Sequence, residues 1–318
     1  MAKVSILMSV YNECERFIRE SIESILTQSF SDFEFIIVCD NPNRYDEVTY
    51  ILDSCRDSRI VYIRNENNIG LAMSLNKAAS IATTDLFLRM DADDIAETTR
   101  IQKEYDILVN GDYDFVFSRY SLIDSDSNEI DGFTQPFLPY NEIIQHPFVT
   151  PRFIHHPTVM FKKQIFEKAG GYRPFPCAQD LDLWYRLVEL GCRFIMLDES
   201  LLKYRINVNS VSSQRWHQQQ LTCDYINELL LERLKQGHDS FSVEHYKHYL
   251  KHNGLNNKNS ETKLSKAYFF LKISKQHRLA GRYYFSLYYK IKAIITSKIL
   301  FRRTIVRLMI NVYTIRFR

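Results

Sequence analysis

Asp85-Leu86-Phe87-Leu88-Arg89-Met90 runs directly into Asp91-Ala92-Asp93-Asp94. Its first part is a largely apolar run of strand length, and its last four residues carry three carboxylates. Carboxylates this close repel one another and cost stability unless a cation offsets them. Mg²⁺ or Mn²⁺ takes oxygen ligands, often one or two carboxylates plus phosphate oxygens of a substrate. A strand ending on such a cluster therefore suits a metal–diphosphate site. A solvated acidic turn capping the next helix is the other reading of the same residues.

The pattern recurs outward from this point. Val4–Val10 is an apolar run that ends in Tyr11-Asn12-Glu13, and Glu15–Gln28 carries Phe17, Ile18, Ile22, Ile25 and Leu26 at helical spacing. Phe35–Cys39 stops at the turn cluster Asp40-Asn41-Pro42-Asn43, and Ile60–Ile63 precedes Asn67-Asn68-Ile69-Gly70 and a helix over Leu71–Ala82. Short strands alternating with helices predict an α/β domain with a mainly parallel sheet. Strands of such sheets turn their carboxyl ends toward the ligand crevice, so Tyr11, Asp40 and Asp91–Asp94 are expected to converge there. Farther on, Val116–Ile123 and Val159–Phe161 read as mixed structure. Asp180–Leu190 reads as a helix with Leu181, Trp184, Leu187 and Val188 on one face.

The 318 residues suffice for one large domain or a core with an appendage. Six scattered cysteines without a CxxC pair read as reduced cytosolic thiols, not as a disulfide frame or a zinc site. No run suits a secretory leader, and none approaches the roughly 20 apolar residues of a membrane-spanning helix. The net charge of +3 conceals an asymmetry: no acidic residue follows Glu261, while fourteen Lys and Arg do, which leaves −11 for everything before. An acidic body with a basic tail argues against a general nucleic-acid binder and suggests a partner for the tail only. The composition changes near Gln214, and a polar stretch at His252–Glu261 reads as a linker between helical, Lys- and Tyr-rich segments.

Single residues carry less. Asp40 is a turn former or a carboxylate that accepts a uracil imide N–H. Tyr11 is ordinary packing or a ring stacked on a base. His155 and His156, adjacent on a strand, face apart and read as structural or phosphate-contacting groups. Asp180 caps its helix or serves as a general base, which requires reach to an acceptor hydroxyl.

Together, VSILMSVYNE, Asn67-Asn68-Ile69-Gly70-Leu71-Ala72, Arg89-Met90-Asp91-Ala92-Asp93-Asp94, His156-Pro157-Thr158, Gly170-Gly171-Tyr172-Arg173 and Gln179-Asp180-Leu181-Asp182-Leu183-Trp184 occur in an order that resembles the family 2 inverting glycosyltransferases. The likeness covers roughly residues 3–215. It implies the GT-A fold, Rossmann-like with a mainly parallel mixed sheet flanked by helices, over 1–215. It further implies Asp180 as catalytic base, Asp93 as ligand of Mg²⁺ or Mn²⁺, and Tyr11, Glu13, Asp40, Asn68, Asp91 and Asp94 around the donor. The likeness does not reach the tail, where apolar residues near helical spacing among Lys and Arg read as a helical cap on the catalytic domain or a helix on an anionic membrane surface; a helical, basic, membrane-associating region is expected over 216–318. Two positions depart from the family pattern: Gln179 replaces the usual glutamate, and Cys39 an aspartate. The Q-x-x-R-W of processive members is absent, since Gln214-Arg215-Trp216 has the wrong spacing, which favours one sugar per encounter.

The implied reaction moves a hexose or N-acetylhexosamine from a nucleotide-diphosphate sugar, preferably a UDP-sugar, to a hydroxyl with inversion. The implied setting is surface-polysaccharide assembly on a lipid-linked acceptor at the inner membrane face. Partners are then the donor, a glycan or lipid-linked sugar, and an anionic membrane surface through the tail, with no nucleic acid. The alternative is an inactive nucleotide-sugar binder on a membrane. A sugar nucleotidyltransferase would open on a Gly-rich phosphate loop, which Val10-Tyr11-Asn12-Glu13 does not offer.

Overall fold

The computed structural model describes residues 1–206, 216–255, 257–279 and 281–315. The chain divides into two compact units, Met1–Ser210 and Val211–Arg318. The expected boundary at 215 falls among residues outside the described set.

The first unit is built on one mixed sheet. Its strands are β1 (Val4–Val10), β2 (Phe33–Cys39), β3 (Ile60–Arg64), β4 (Leu86–Arg89), β5 (Ile95–Ala96), β6 (Phe115–Ile123), β7 (Glu129–Thr134), β8 (Val159–Lys162) and β9 (Phe194–Arg205). They are ordered β3-β2-β1-β4-β8-β6-β9-β5, with β7 on β6. β3, β2, β1 and β4 are mutually parallel, β8 runs against β4 and β6, and β9 is parallel to β6. The carboxyl ends of β1, β2, β4, β6 and β9 thus share one edge. The short β5 runs back along β9 directly after the Asp91–Asp94 turn, so that turn is gripped from both sides.

Burial explains why these runs read as continuously apolar. Every residue of β1 is buried, Val4, Ile6, Met8 and Val10 toward one face and Leu7 toward the other. A parallel sheet is covered on both faces, so alternation is lost. One face packs on α1 (Glu15–Leu26) through Ile18, Ile22 and Ile25, on α2 (Tyr45–Cys55) through Val48, Ile51 and Leu52, and on α4 (Arg100–Asn110) through Ile101 and Leu108. The other packs on α3 (Leu71–Ile81), α6 (Lys163–Lys168) and α7 (Gln179–Glu189); the short α5 (Tyr140–Gln145) contributes Ile143. Trp184 of α7 lies fully buried, edge-on to Phe115 at 4.7 Å. Replacing Trp184 by Ala opens a cavity beneath α7 and is expected to cost about 3–5 kcal/mol, checked by urea unfolding.

The second unit is helical: α8 (Trp216–Gln236), α9 (Val243–His252), α10 (Lys258–Leu279), α11 (Tyr283–Thr296) and α12 (Lys298–Ile315). It has a core of its own. Ala267, Phe270, Ala293 and Leu300 bring α10, α11 and α12 together. Arg303 of α12 is buried and paired with Asp224 of α8, and it also donates to Gln220 Oε1 at 3.0 Å. Among the described residues no helix is long and apolar enough to cross a membrane.

Candidate active site

The Asp91–Asp94 turn is held by three buried arginines. Arg89, 1 % exposed, pairs with the Asp91 carboxylate, which accepts at Oδ1, and donates back to the Leu7 carbonyl at 3.4 Å. Arg100 donates to the Arg89 carbonyl at 3.1 Å. Arg205, at the end of β9, donates from Nε to the Asp93 carbonyl at 2.7 Å, and from its other nitrogens to Asp124 O, Ser127 Oγ and Glu20 Oε2. The turn is therefore rigid before any ligand arrives, because its backbone acceptors are fixed by charge-assisted hydrogen bonds.

The three aspartates of the turn differ in character. Asp91 is partly exposed and balanced by Arg89. Asp93 is half-buried, and the Arg205 guanidinium reaches its carbonyl, not its carboxylate. Burial, then the charges of Asp91 and Glu13, push the Asp93 carboxyl up to about 7. Burial raises Glu13 as well, with Asp91 adding to it. Glu13, Asp91 and Asp93 thus crowd negative charge at one spot, as a hard cation requires. Among the described residues no group of three His, Cys, Asp or Glu side chains is placed to hold a metal ion. Asp94 is fully buried, and its Oδ1 accepts the Arg205 amide at 2.9 Å, which ties the turn to β9, while its Oδ2 has no hydrogen-bond partner among the described residues.

Asp40 is 2 % exposed, and its Oδ1 accepts from Asn65 Nδ2 and the Ile69 amide, both at 2.9 Å. Its Oδ2 accepts the Gly70 amide at 2.8 Å. With about four acceptor positions on a carboxylate, these three bonds leave one. Asp40 fixes the 65–70 loop and thereby Asn68, which is exposed on it. Gly70 adopts φ +83°, where a side chain is strained, and this lets its amide reach Asp40. Tyr11 is 39 % exposed at the end of β1, and its carbonyl accepts from Asn41 and Arg44.

Across the crevice, Asp180 and Asp182 sit in the first turn of α7, after Ala178 in the left-handed region. Asp182 is fully buried and neutralised by Arg186 at 2.7 Å, with Arg173 at 3.6 Å; Arg186 also holds the Gly171 carbonyl at 2.9 Å. Asp180 is half-buried and, among the described residues, has no such ion pair. Burial pushes its carboxyl up to about 6 against the amides of Leu181 and Asp180, with Asp91 adding to the rise and Arg89 opposing it. The adjacent histidines do face apart. His155 joins Tyr120 at 2.8 Å, and His156 joins Tyr172 at 2.8 Å. Burial pushes His155 down to about 4 and His156 well below its usual value, so both rings are neutral.

The sequence reading missed Arg205 and Arg100 entirely, and it quoted Arg89 without a role. Only Arg89 gave a signal, a charge inside an otherwise apolar strand. What the arrangement offers is an acidic turn and, close enough for the Asp91 charge to act on it, a carboxylate of raised proton affinity.

Residues 5–170 match the sequence profile described as Glycosyl transferase family 2. An uncharacterized glycosyltransferase of Methanocaldococcus jannaschii is 38 % identical over 205 residues, covering 64 % of this chain and 70 % of that one. A UDP-Gal:alpha-D-GlcNAc-diphosphoundecaprenol beta-1,3-galactosyltransferase of Escherichia coli is 28 % identical over 210 residues, covering 64 % of this chain and 74 % of that one. Among solved structures, residues 1–349 of S. aureus TarS, crystallised with UDP-GlcNAc, superpose with a TM-score of 0.60 at 15 % identity. That match covers 81 % of this chain and 72 % of that one, and supports the GT-A fold. With more than half of its length matching the family profile and these motifs in place, the chain belongs to glycosyl transferase family 2.

Proposed function

We propose that the chain transfers a hexose or N-acetylhexosamine from a UDP-sugar to a hydroxyl of a lipid-linked glycan, with inversion, in the assembly of a surface polysaccharide. The observation that carries this reading is the contrast within α7: Asp182 is locked by arginines, while Asp180 keeps a raised proton affinity beside the acidic turn. The donor and acceptor named for the E. coli relative support the choice of a UDP-sugar and a diphosphate-linked lipid.

In this reading Asp180 accepts the proton of the acceptor hydroxyl as that oxygen bonds to the anomeric carbon and the bond to the nucleotide diphosphate breaks. Asp93, with Asp91 beside it, would hold Mg²⁺ or Mn²⁺; a bound cation supplies charge stabilisation for the departing diphosphate. Arg89, Arg100 and Arg205 keep those carboxylates in place. Asp40 shapes the base end by ordering the 65–70 loop, and Tyr11, Glu13 and Asn68 line the donor side. The setting is peripheral, at the inner face of a membrane, with the basic tail against anionic lipid.

The test is a transfer screen of the full chain with UDP-, GDP- and dTDP-sugars and diphosphate-lipid acceptors bearing single sugars. Proton NMR of the product reads the anomeric configuration. An α-linked donor is expected to give a β-linked product. Retention of configuration, or a preference for GDP-sugars, overturns the corresponding part of the reading.

A further inference from the structure

α11 has two sides, and its neighbours occupy only one. On the inner side, the Ser286 carbonyl accepts from Ser274 Oγ of α10 at 2.7 Å, and Ala293 is buried in the cluster with Ala267, Phe270 and Leu300. Tyr284, Leu287, Tyr288, Ile291 and Ile295 recur at helical spacing on the opposite side as one stripe, between 48 % and 79 % exposed. Lys290 and Lys292 are exposed at its two borders, and Lys292 lies over the Tyr288 ring at 5.6 Å. α12 repeats the design. Phe301, Ile305, Leu308 and Val312 form an exposed stripe, while Arg303, Val306 and Ile310 are buried. Scattered exposed apolar groups need no account, but two contiguous stripes of large side chains mark an interaction surface.

Charge selects the occupant. Arg302 and Arg303 pair with Glu228 and Asp224 of α8, but fourteen basic residues and no acidic one lie beyond Glu261, so two copies meeting through these helices would oppose like charge. A polyanion such as RNA would satisfy the lysines but not Leu287, Ile291, Ile295, Ile305 and Leu308, which have no ring to stack on a base. A bilayer with anionic headgroups satisfies both.

We propose that the outward stripes of α11 and α12 are a lipid-docking surface, seated at the headgroup–acyl boundary of an anionic membrane with Lys290 and Lys292 on the headgroups. This deepens the membrane setting proposed above and rests on it for its purpose, but lipid binding needs neither donor nor acceptor. Because Arg303 ties α12 to Asp224 of α8, deleting the tail would uncover the core of this unit. Substitution of outward residues is the cleaner probe.

The experiment sediments the full chain with phosphatidylcholine vesicles, with and without phosphatidylglycerol. The unmodified chain is expected to bind the anionic vesicles and to be released by high salt. Leu287→Ser/Ile291→Ser/Ile295→Ser is expected to weaken binding at least about tenfold, with an unchanged circular dichroism spectrum and Tm. Lys290→Gln and Lys292→Gln should each cost about fivefold on anionic vesicles. Equal binding to neutral vesicles, no binding by the unmodified chain, or full binding by the triple variant overturns the proposal. So does a dimer that the triple variant dissolves without any vesicle binding, or retention on RNA in place of vesicles. Loss of vesicle binding alongside intact transfer to a soluble acceptor would remove the docking surface and leave the proposed reaction standing.

Discussion

Asp180→Asn is expected to lower kcat by about 10²–10⁴-fold while leaving UDP-sugar affinity nearly unchanged. The amide keeps the shape and accepts the same Leu181 and Asp180 amides, so α7 keeps its first turn. What it loses is the ability to take a proton. The pH profile gives a second readout. A base with its carboxyl pushed up to about 6 is protonated below that pH, so kcat/KM should fall about tenfold per pH unit on the acid side and level off above it. Asp180→Asn should erase that limb. Asp182→Asn is expected to behave differently: it leaves Arg186 and Arg173 without their buried counter-charge and should lower Tm. If Asp182→Asn abolished turnover in a fully folded protein while Asp180→Asn kept its rate, the base would be misassigned by two residues.

The pair illustrates what sequence can and cannot sort. The sheet was legible because β1, β2 and β4 are buried on both faces and each ends abruptly on polar residues. The Asp91–Asp94 turn and Asp180 were legible for the same reason, as carboxylates placed just beyond apolar elements. The fate of each carboxylate was not. Asp94 turns inward because the Arg205 amide, more than a hundred residues away, takes its Oδ1. Asp40 is closed by Asn65, Ile69 and Gly70, two of which contribute only backbone amides that leave no trace in side-chain pattern. α2 was overlooked because only Val48, Ile51 and Leu52 of its eleven residues are buried. The tail was legible as helical from its apolar spacing, but not the small core of α10 to α12, nor the buried ion pair whose acidic half lies in α8.

Asp93→Ala is expected to reduce transfer by about 10²–10³-fold and to remove Mn²⁺-dependent UDP binding, read by calorimetry with and without the metal. The side chain is the member of the turn least tied to the protein: Asp91 is paired with Arg89, and Asp94 accepts the Arg205 amide. Its loss should therefore leave the fold intact, and Tm is expected to hold or rise slightly, because burial beside Asp91 and Glu13 makes the Asp93 charge costly in the free protein. The sign follows from linkage. A carboxyl raised to about 7 is bound to a proton more tightly in the folded chain than in the unfolded one, so its contribution disfavours folding as pH rises from the unfolded value near 3.8 through 7. A cation relieves the same repulsion, so UDP binding with Mn²⁺ should strengthen as pH rises through 7, and excess chelator should abolish turnover. Asp94→Asn separates structure from ligation. Its carboxyl is held well above the ordinary range by burial and by Asp93 and Asp91, so the neutral amide is a near-isostere that can still accept from Arg205. It should keep metal-dependent binding that Asp93→Ala loses. Full activity in excess chelator, or equal loss of Mn²⁺-dependent UDP binding in both variants, would take the metal away from Asp93.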